Sequence, residues 1–135
     1  MLNGLPILIV EDEPLIAMNL ASAVAELDGK IVGPVDTVAA AFELLASETI
    51  AAAILDANLL DRDVTPLATS LAERSVPFVI FTGTGLPPAL AATHPDLPVI
   101  IKPARSTAVL AALLQRVSPD RLALEARCSD PGAGV

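Results

Sequence analysis

Apolar and polar positions fall in blocks along the chain. Four runs of consecutive apolar residues each stop at polar or turn-forming ones. Residues 5–10 run into Glu11-Asp12-Glu13, residues 51–55 into Asp56, residues 78–81 into Thr82-Gly83, and residues 99–101 into Lys102-Pro103. A weaker run, residues 30–33, precedes Pro34. Runs that are apolar throughout, rather than alternating, predict strands buried on both faces, as in a parallel sheet. Between them the apolar residues recur at helical spacing. Ile16, Leu20, Val24 and Leu27 form one face, which Asp28-Gly29 ends; Val38, Phe42 and Leu45 form a second, with Asp36 or Thr37 as N-cap. Val64, Leu67 and Leu71 form a third, and Val109, Leu113 and Val117 a fourth that Ser106 opens and Ser118-Pro119 closes. Gly83-Thr84-Gly85-Leu86-Pro87-Pro88 is rich in breakers, so the helix between the last two strands is short, about residues 89–93.

Strand and helix thus alternate five times. The expected fold is a doubly wound α/β domain with a five-stranded parallel sheet in the order 2-1-3-4-5, flavodoxin-like, with a short or irregular fourth helix. Residues 1–118 form this domain. Residues 119–135 form a short tail, with a possible turn at residues 121–127 and no output domain. Sites in such sheets lie at the carboxyl ends of the strands, beside the point where strand order reverses. The polar residues that end the apolar runs all fall there.

Composition narrows the function. Of 135 residues, 53% are hydrophobic and 2% aromatic, so the core is built from aliphatic residues and alanine. A net charge of −8 repels phosphate backbones and argues against nucleic-acid binding. The single cysteine, Cys128, makes no internal disulfide, and with one histidine (His94) it makes no structural zinc site. No apolar stretch has the length of a membrane span, and the N-terminus has no leader pattern, so a cytoplasmic protein without membrane insertion is expected.

Glu11, Asp12 and Asp56 place carboxylates at adjacent strand ends. They repel one another unless a cation neutralises them, and hard oxygen ligands of this kind suit Mg²⁺. Asp56, at the tip of the middle strand, is placed as a nucleophile that can accept a phosphoryl group. Lys102 and the Thr82 hydroxyl would meet the charge of such a group from other sides, and the backbone N–H groups of Asn58 and Gly83 would complete the cradle. Each feature alone also has a plain reading. Asp12-Glu13-Pro14 can cap a helix, Asp56 and Thr82-Gly83 can be turns, and Lys102-Pro103 can be a solvated strand end. Their coincidence at one end of one sheet is what points to chemistry.

These residues carry a resemblance. Val10-Glu11-Asp12-Glu13-Pro14, Leu55-Asp56-Ala57-Asn58-Leu59, Ile80-Phe81-Thr82-Gly83 and Ile101-Lys102-Pro103 resemble, in order, the signature of response-regulator receiver domains. The segment at residues 76–85 resembles the single-domain receivers with a Phe-Ala-Thr-Gly-Tyr motif after strand 4. The resemblance implies a two-component phosphoacceptor rather than an enzyme. Asp56 would take a phosphoryl group from the phosphohistidine of a sensor histidine kinase, with Mg²⁺ held by Glu11, Asp12, Asp56 and the backbone carbonyl of Asn58. Thr82 and Lys102 match the family's hydroxyl and lysine. Output would be a protein contact, a relay to a downstream histidine phosphotransfer or effector protein, or a phosphate sink. The sequence departs from the pattern at Glu11, where Asp is commoner, at Thr84 and Val99, where aromatics are usual, and at Ala104, where Phe is frequent. Three other readings compete. A receiver-like adaptor would never be phosphorylated. A small haloacid-dehalogenase-type phosphatase would need a second Asp where Asn58 stands. A nucleotide-binding domain would need glycine and lysine patterns that residues 83–88 lack.

Overall fold

The computed structural model describes residues 2–117. Five strands alternate with five helices: β1 (Pro6–Val10), α1 (Pro14–Glu26), β2 (Lys30–Val35), α2 (Val38–Ser47), β3 (Ala52–Leu55), α3 (Thr65–Glu73), β4 (Phe78–Thr82), α4 (Pro88–Thr93), β5 (Val99–Ile101) and α5 (Ser106–Arg116). The sheet is parallel throughout, in the order β2-β1-β3-β4-β5, as the alternation predicts. The expected turn at residues 121–127, Cys128 and the tail at 119–135 lie outside the described residues.

The strands are buried on both faces, which is why their sequences do not alternate. Every residue of β3 and β4 is buried. On one face Leu8, Val10, Leu55 and Ile80 pack with Val38, Ala41, Leu67 and Leu71 of α2 and α3. On the other, Ile7, Ile9, Ile54, Val79 and Phe81 pack with Leu20, Val24, Val109 and Leu113 of α1 and α5. Burial of each large aliphatic side chain in these layers contributes about 1.5–3 kcal/mol.

The strand ends that matter are zipped together by backbone bonds that continue past the strands. Glu11 N–H donates to Val35 O at 2.9 Å, Asp56 N–H to Val10 O at 2.8 Å, and Lys102 N–H to Thr82 O at 2.8 Å. The functional side chains therefore start from backbone fixed by the sheet itself.

One boundary differs from expectation. β2 continues through Gly33-Pro34 to Val35. Gly33 adopts a φ of +92°, and the pairing with β1 shifts register between Leu8 and Val10. An edge strand tolerates proline at such a bulge. At α1, the helix start is engaged by Glu11, whose carboxylate accepts from Glu13 N–H at 3.2 Å, so Asp12 is not spent as a cap. At α5, Ser106 opens the helix as expected. α2 is capped by Thr37, whose hydroxyl accepts from Ala40 N–H at 3.0 Å. α4 is short, as its prolines require.

Candidate functional site

β3 is the central strand, and it delivers Asp56 between the ends of β1 and β4. Glu11 and Asp56 are buried, at 3% and 7% exposure, while Asp12 is half-buried beside them. Glu11, Asp12 and Asp56 each present a carboxylate oxygen within 4.8 Å of the others. Lys102 reaches across from the end of β5. Its Nζ lies 2.9 Å from Glu11 Oε1 and 3.2 Å from Asp56 Oδ2, and 3.9 Å from the exposed Glu13. The ammonium also sits 5.4 Å from the centroid of the Phe81 ring, within cation–π range.

One ammonium does not balance three carboxylates. Burial first, and then the neighbouring Asp56 carboxylate, push the Glu11 carboxyl up to about 8. Burial and the same neighbour also raise Asp12. Burial opposes the charge on Lys102, but the Glu11 and Asp56 carboxylates outweigh it and hold its pKa above the ordinary value. Lys102 Nζ donates to Glu11 Oε2 at 3.2 Å and stands 2.9 Å from Oε1, so one ammonium serves both Glu11 oxygens as well as Asp56. Three clustered carboxylates that share this ammonium are short of positive charge, the environment a divalent cation would relieve. The all-oxygen donor set fits Mg²⁺.

The loop after β3 is held from two sides. Val64 N–H donates to Ala57 O at 2.9 Å, and Leu60 N–H to Asp36 O at 3.2 Å. Asp61 reaches over to α2, where its carboxylate accepts from Val38 N–H at 2.8 Å and Ala39 N–H at 3.1 Å. These contacts fix the backbone of Asn58, whose N–H points at Asp56 Oδ1 from 3.5 Å. Thr82 is buried at the end of β4, and its Oγ1 accepts from Thr84 N–H at 3.1 Å.

Five of the six site residues expected from the sequence, Glu11, Asp12, Asp56, Thr82 and Lys102, end strands that converge on this corner, and Asn58 stands in the adjoining loop. Two further residues escaped the sequence reading. Asp61 acts 23 positions away in the chain, a contact that spacing does not display. Thr84 stands where the resemblance has an aromatic, and its hydroxyl accepts from Asn58 Nδ2 at 2.9 Å and joins the two loops. Ala104, small where the resemblance has Phe, helps line a pocket of about 450 Å³ with Ile16, Phe81 and Lys102. His94 is half-buried and lies 2.9 Å from the Thr93 hydroxyl through Nδ1. No helix among the described residues is long and apolar enough to cross a membrane.

No protein-family profile matches the chain, and no curated protein matches it. Solved structures do. The solution structure of SdrG from Sphingomonas melonis Fr1 is 42% identical, with a TM-score of 0.71 over 86% of this chain and 98% of that one. A BeF3-activated conformation of SdrG, from Pseudomonas melonis Fr1, is 44% identical, with a TM-score of 0.65 over 85% of this chain and 95% of that one. The response regulator PhyR from Brucella abortus is 25% identical, with a TM-score of 0.70, over 90% of this chain and 51% of that one. A response regulator receiver protein from Sinorhizobium medicae WSM419 shares the fold at 24% identity and a TM-score of 0.72, over 93% of this chain and 99% of that one.

Proposed function

The chain belongs to the response-regulator receiver family, and on that premise we propose that Asp56 is the phosphoacceptor of a two-component signalling protein. The observation that carries this reading is the placement of Asp56 at the tip of the central strand, 3.2 Å from the Lys102 ammonium and against the carboxylates of Glu11 and Asp12. An oxygen of the Asp56 carboxylate attacks the phosphorus of a phosphohistidine on a sensor kinase. The new O–P bond forms as the P–N bond breaks, and the imidazole nitrogen keeps the bonding pair. Lys102 follows the charge: its ammonium, already bridging Glu11 and Asp56, stays beside the oxygens that become the acyl phosphate. Glu11, Asp12, Asp56 and the Asn58 carbonyl would hold Mg²⁺. The bound ion would neutralise charge on the transferring phosphoryl group. Thr82 donates its hydroxyl to a phosphoryl oxygen.

Residues 1–118 act as a receiver. The near-complete span of SdrG that this chain matches supports that reading. Its output passes by protein contact, by relay to a histidine phosphotransfer or effector protein, or by draining phosphate from the kinase, in the cytoplasm. The protein is a phosphoacceptor and not a turnover enzyme. Incubating it with Mg²⁺ and acetyl phosphate tests the assignment. Intact mass should show one base-labile phosphoryl group on the wild type and none on Asp56→Asn, and equal labelling of both would refute it.

A further inference from the structure

The mouth of the site is crossed by a chain of polar contacts that the phosphoacceptor reading does not use. Asn58 Nδ2 donates to Thr84 Oγ1 at 2.9 Å. Thr84 Oγ1 lies 3.2 Å from Thr82 Oγ1, and Thr84 N–H donates to the same Thr82 oxygen at 3.1 Å. A hydroxyl has one proton and two lone pairs, whereas the Asn58 amide nitrogen only donates. Between the two hydroxyls this leaves two arrangements. Either Thr82 donates to Thr84, or Thr84 donates to Thr82. In the second, both lone pairs of Thr82 Oγ1 are filled, and its proton is the one function it has left. A phosphoryl oxygen can only accept, so a phosphoryl group on Asp56 selects the second arrangement. The change turns two hydroxyl protons. Thr82 is 1% exposed, so bulk water is a poor substitute for Thr84 in orienting it.

We infer that Thr84 is a positioning residue that fixes the Thr82 hydroxyl as a hydrogen-bond donor, drawing its own orientation from the Asn58 side chain. This rests on the phosphoacceptor reading, in which Thr82 meets a phosphoryl oxygen. It gives position 84, where the resemblance has an aromatic, a polar role specific to this sequence.

Three proteins test it: wild type, Thr84→Val, which keeps the shape and removes the hydroxyl, and Thr84→Ser, which restores it. In metal-free protein the Asn58 side-chain amide protons should exchange faster in Thr84→Val and at the wild-type rate in Thr84→Ser. With Mg²⁺ present, beryllofluoride should bind about threefold to tenfold more weakly to Thr84→Val, the loss expected for one hydrogen bond, and normally to Thr84→Ser. Melting temperatures of the three should agree. Wild-type beryllofluoride affinity in Thr84→Val, or failure of Thr84→Ser to restore it, overturns the inference while leaving the phosphoacceptor reading intact. A wild type that takes neither beryllofluoride nor a phosphoryl label overturns both.

Discussion

Raising the pH from 6 to 8 should tighten Mg²⁺ binding by about 50-fold. The magnitude follows from Glu11, whose carboxyl is raised to about 8 by its burial and by Asp56. At pH 6 only about 1% of such a carboxyl is ionised, and at pH 8 about half. A cation needs the ionised form, so binding expels the proton, and affinity climbs with pH until the group is ionised on its own. Above pH 8 the gain should level off at about twofold. The same shift sets the stability of the metal-free protein. A carboxyl raised from 4.5 to about 8 on folding favours the folded state below pH 4.5. That contribution, at most about 5 kcal/mol for a shift of this size, is lost as pH rises through the folded value. The metal-free protein should therefore melt at lower temperature at pH 9 than at pH 6, with Mg²⁺ offsetting the loss. With no Trp and no Tyr, intrinsic fluorescence offers little, so calorimetry in buffers of different ionisation enthalpy is the suitable assay. It should count close to one proton released per Mg²⁺ at pH 7. Glu11→Gln should reduce both the slope and the proton count. An affinity flat between pH 6 and 8, or a Glu11→Gln protein with the wild-type slope, refutes the reasoning.

Asp12→Asn should weaken Mg²⁺ more than Glu11→Gln, because Asp12 is half-buried at the mouth and free of capping duty, whereas Glu11 is already held by Lys102 and Glu13 N–H; a Mg²⁺ titration that ranks them the other way reverses the roles. Lys102→Met should leave the fold intact but slow labelling by acetyl phosphate at least tenfold, and raise the Glu11 carboxyl further, since the cluster then loses the ammonium that pairs with it; labelling at the wild-type rate would count against the lysine's role. Thr37→Ala should cost about 1 kcal/mol by removing the α2 cap, measured by urea unfolding with an unchanged m-value.

Much of this architecture is legible because its sequence obeys simple rules. The apolar blocks through Ile9, Ile54 and Val79 read as doubly buried strands, and each stops at a polar residue of the site. Pro87 and Pro88 shorten α4 for a reason local to the chain. Elsewhere tertiary context decides. The bulge at Gly33 lets β2 run past Pro34, which local breaker rules forbid. The Asp61 carboxylate satisfies the first N–H groups of α2 from the loop beyond β3, so no local spacing reveals it. The acid corner is legible as a set because each member ends a strand. What the sequence does not reveal is direction, such as whether Thr82 faces Asp56 or Thr84, since that depends on rotamers and on the approach of two loops.

The account turns on Asp56 accepting a phosphoryl group from nitrogen. The most direct measurement gives the protein phosphoramidate, a small P–N donor, with Mg²⁺, traps any acyl phosphate by borohydride reduction, and locates the reduced residue by peptide mass spectrometry. The account predicts reduction at Asp56, with Glu11, Asp12, Asp61 and Asp63 unmodified, and none when Mg²⁺ is chelated. Reduction at another carboxylate, or equal trapping without Mg²⁺, would contradict it.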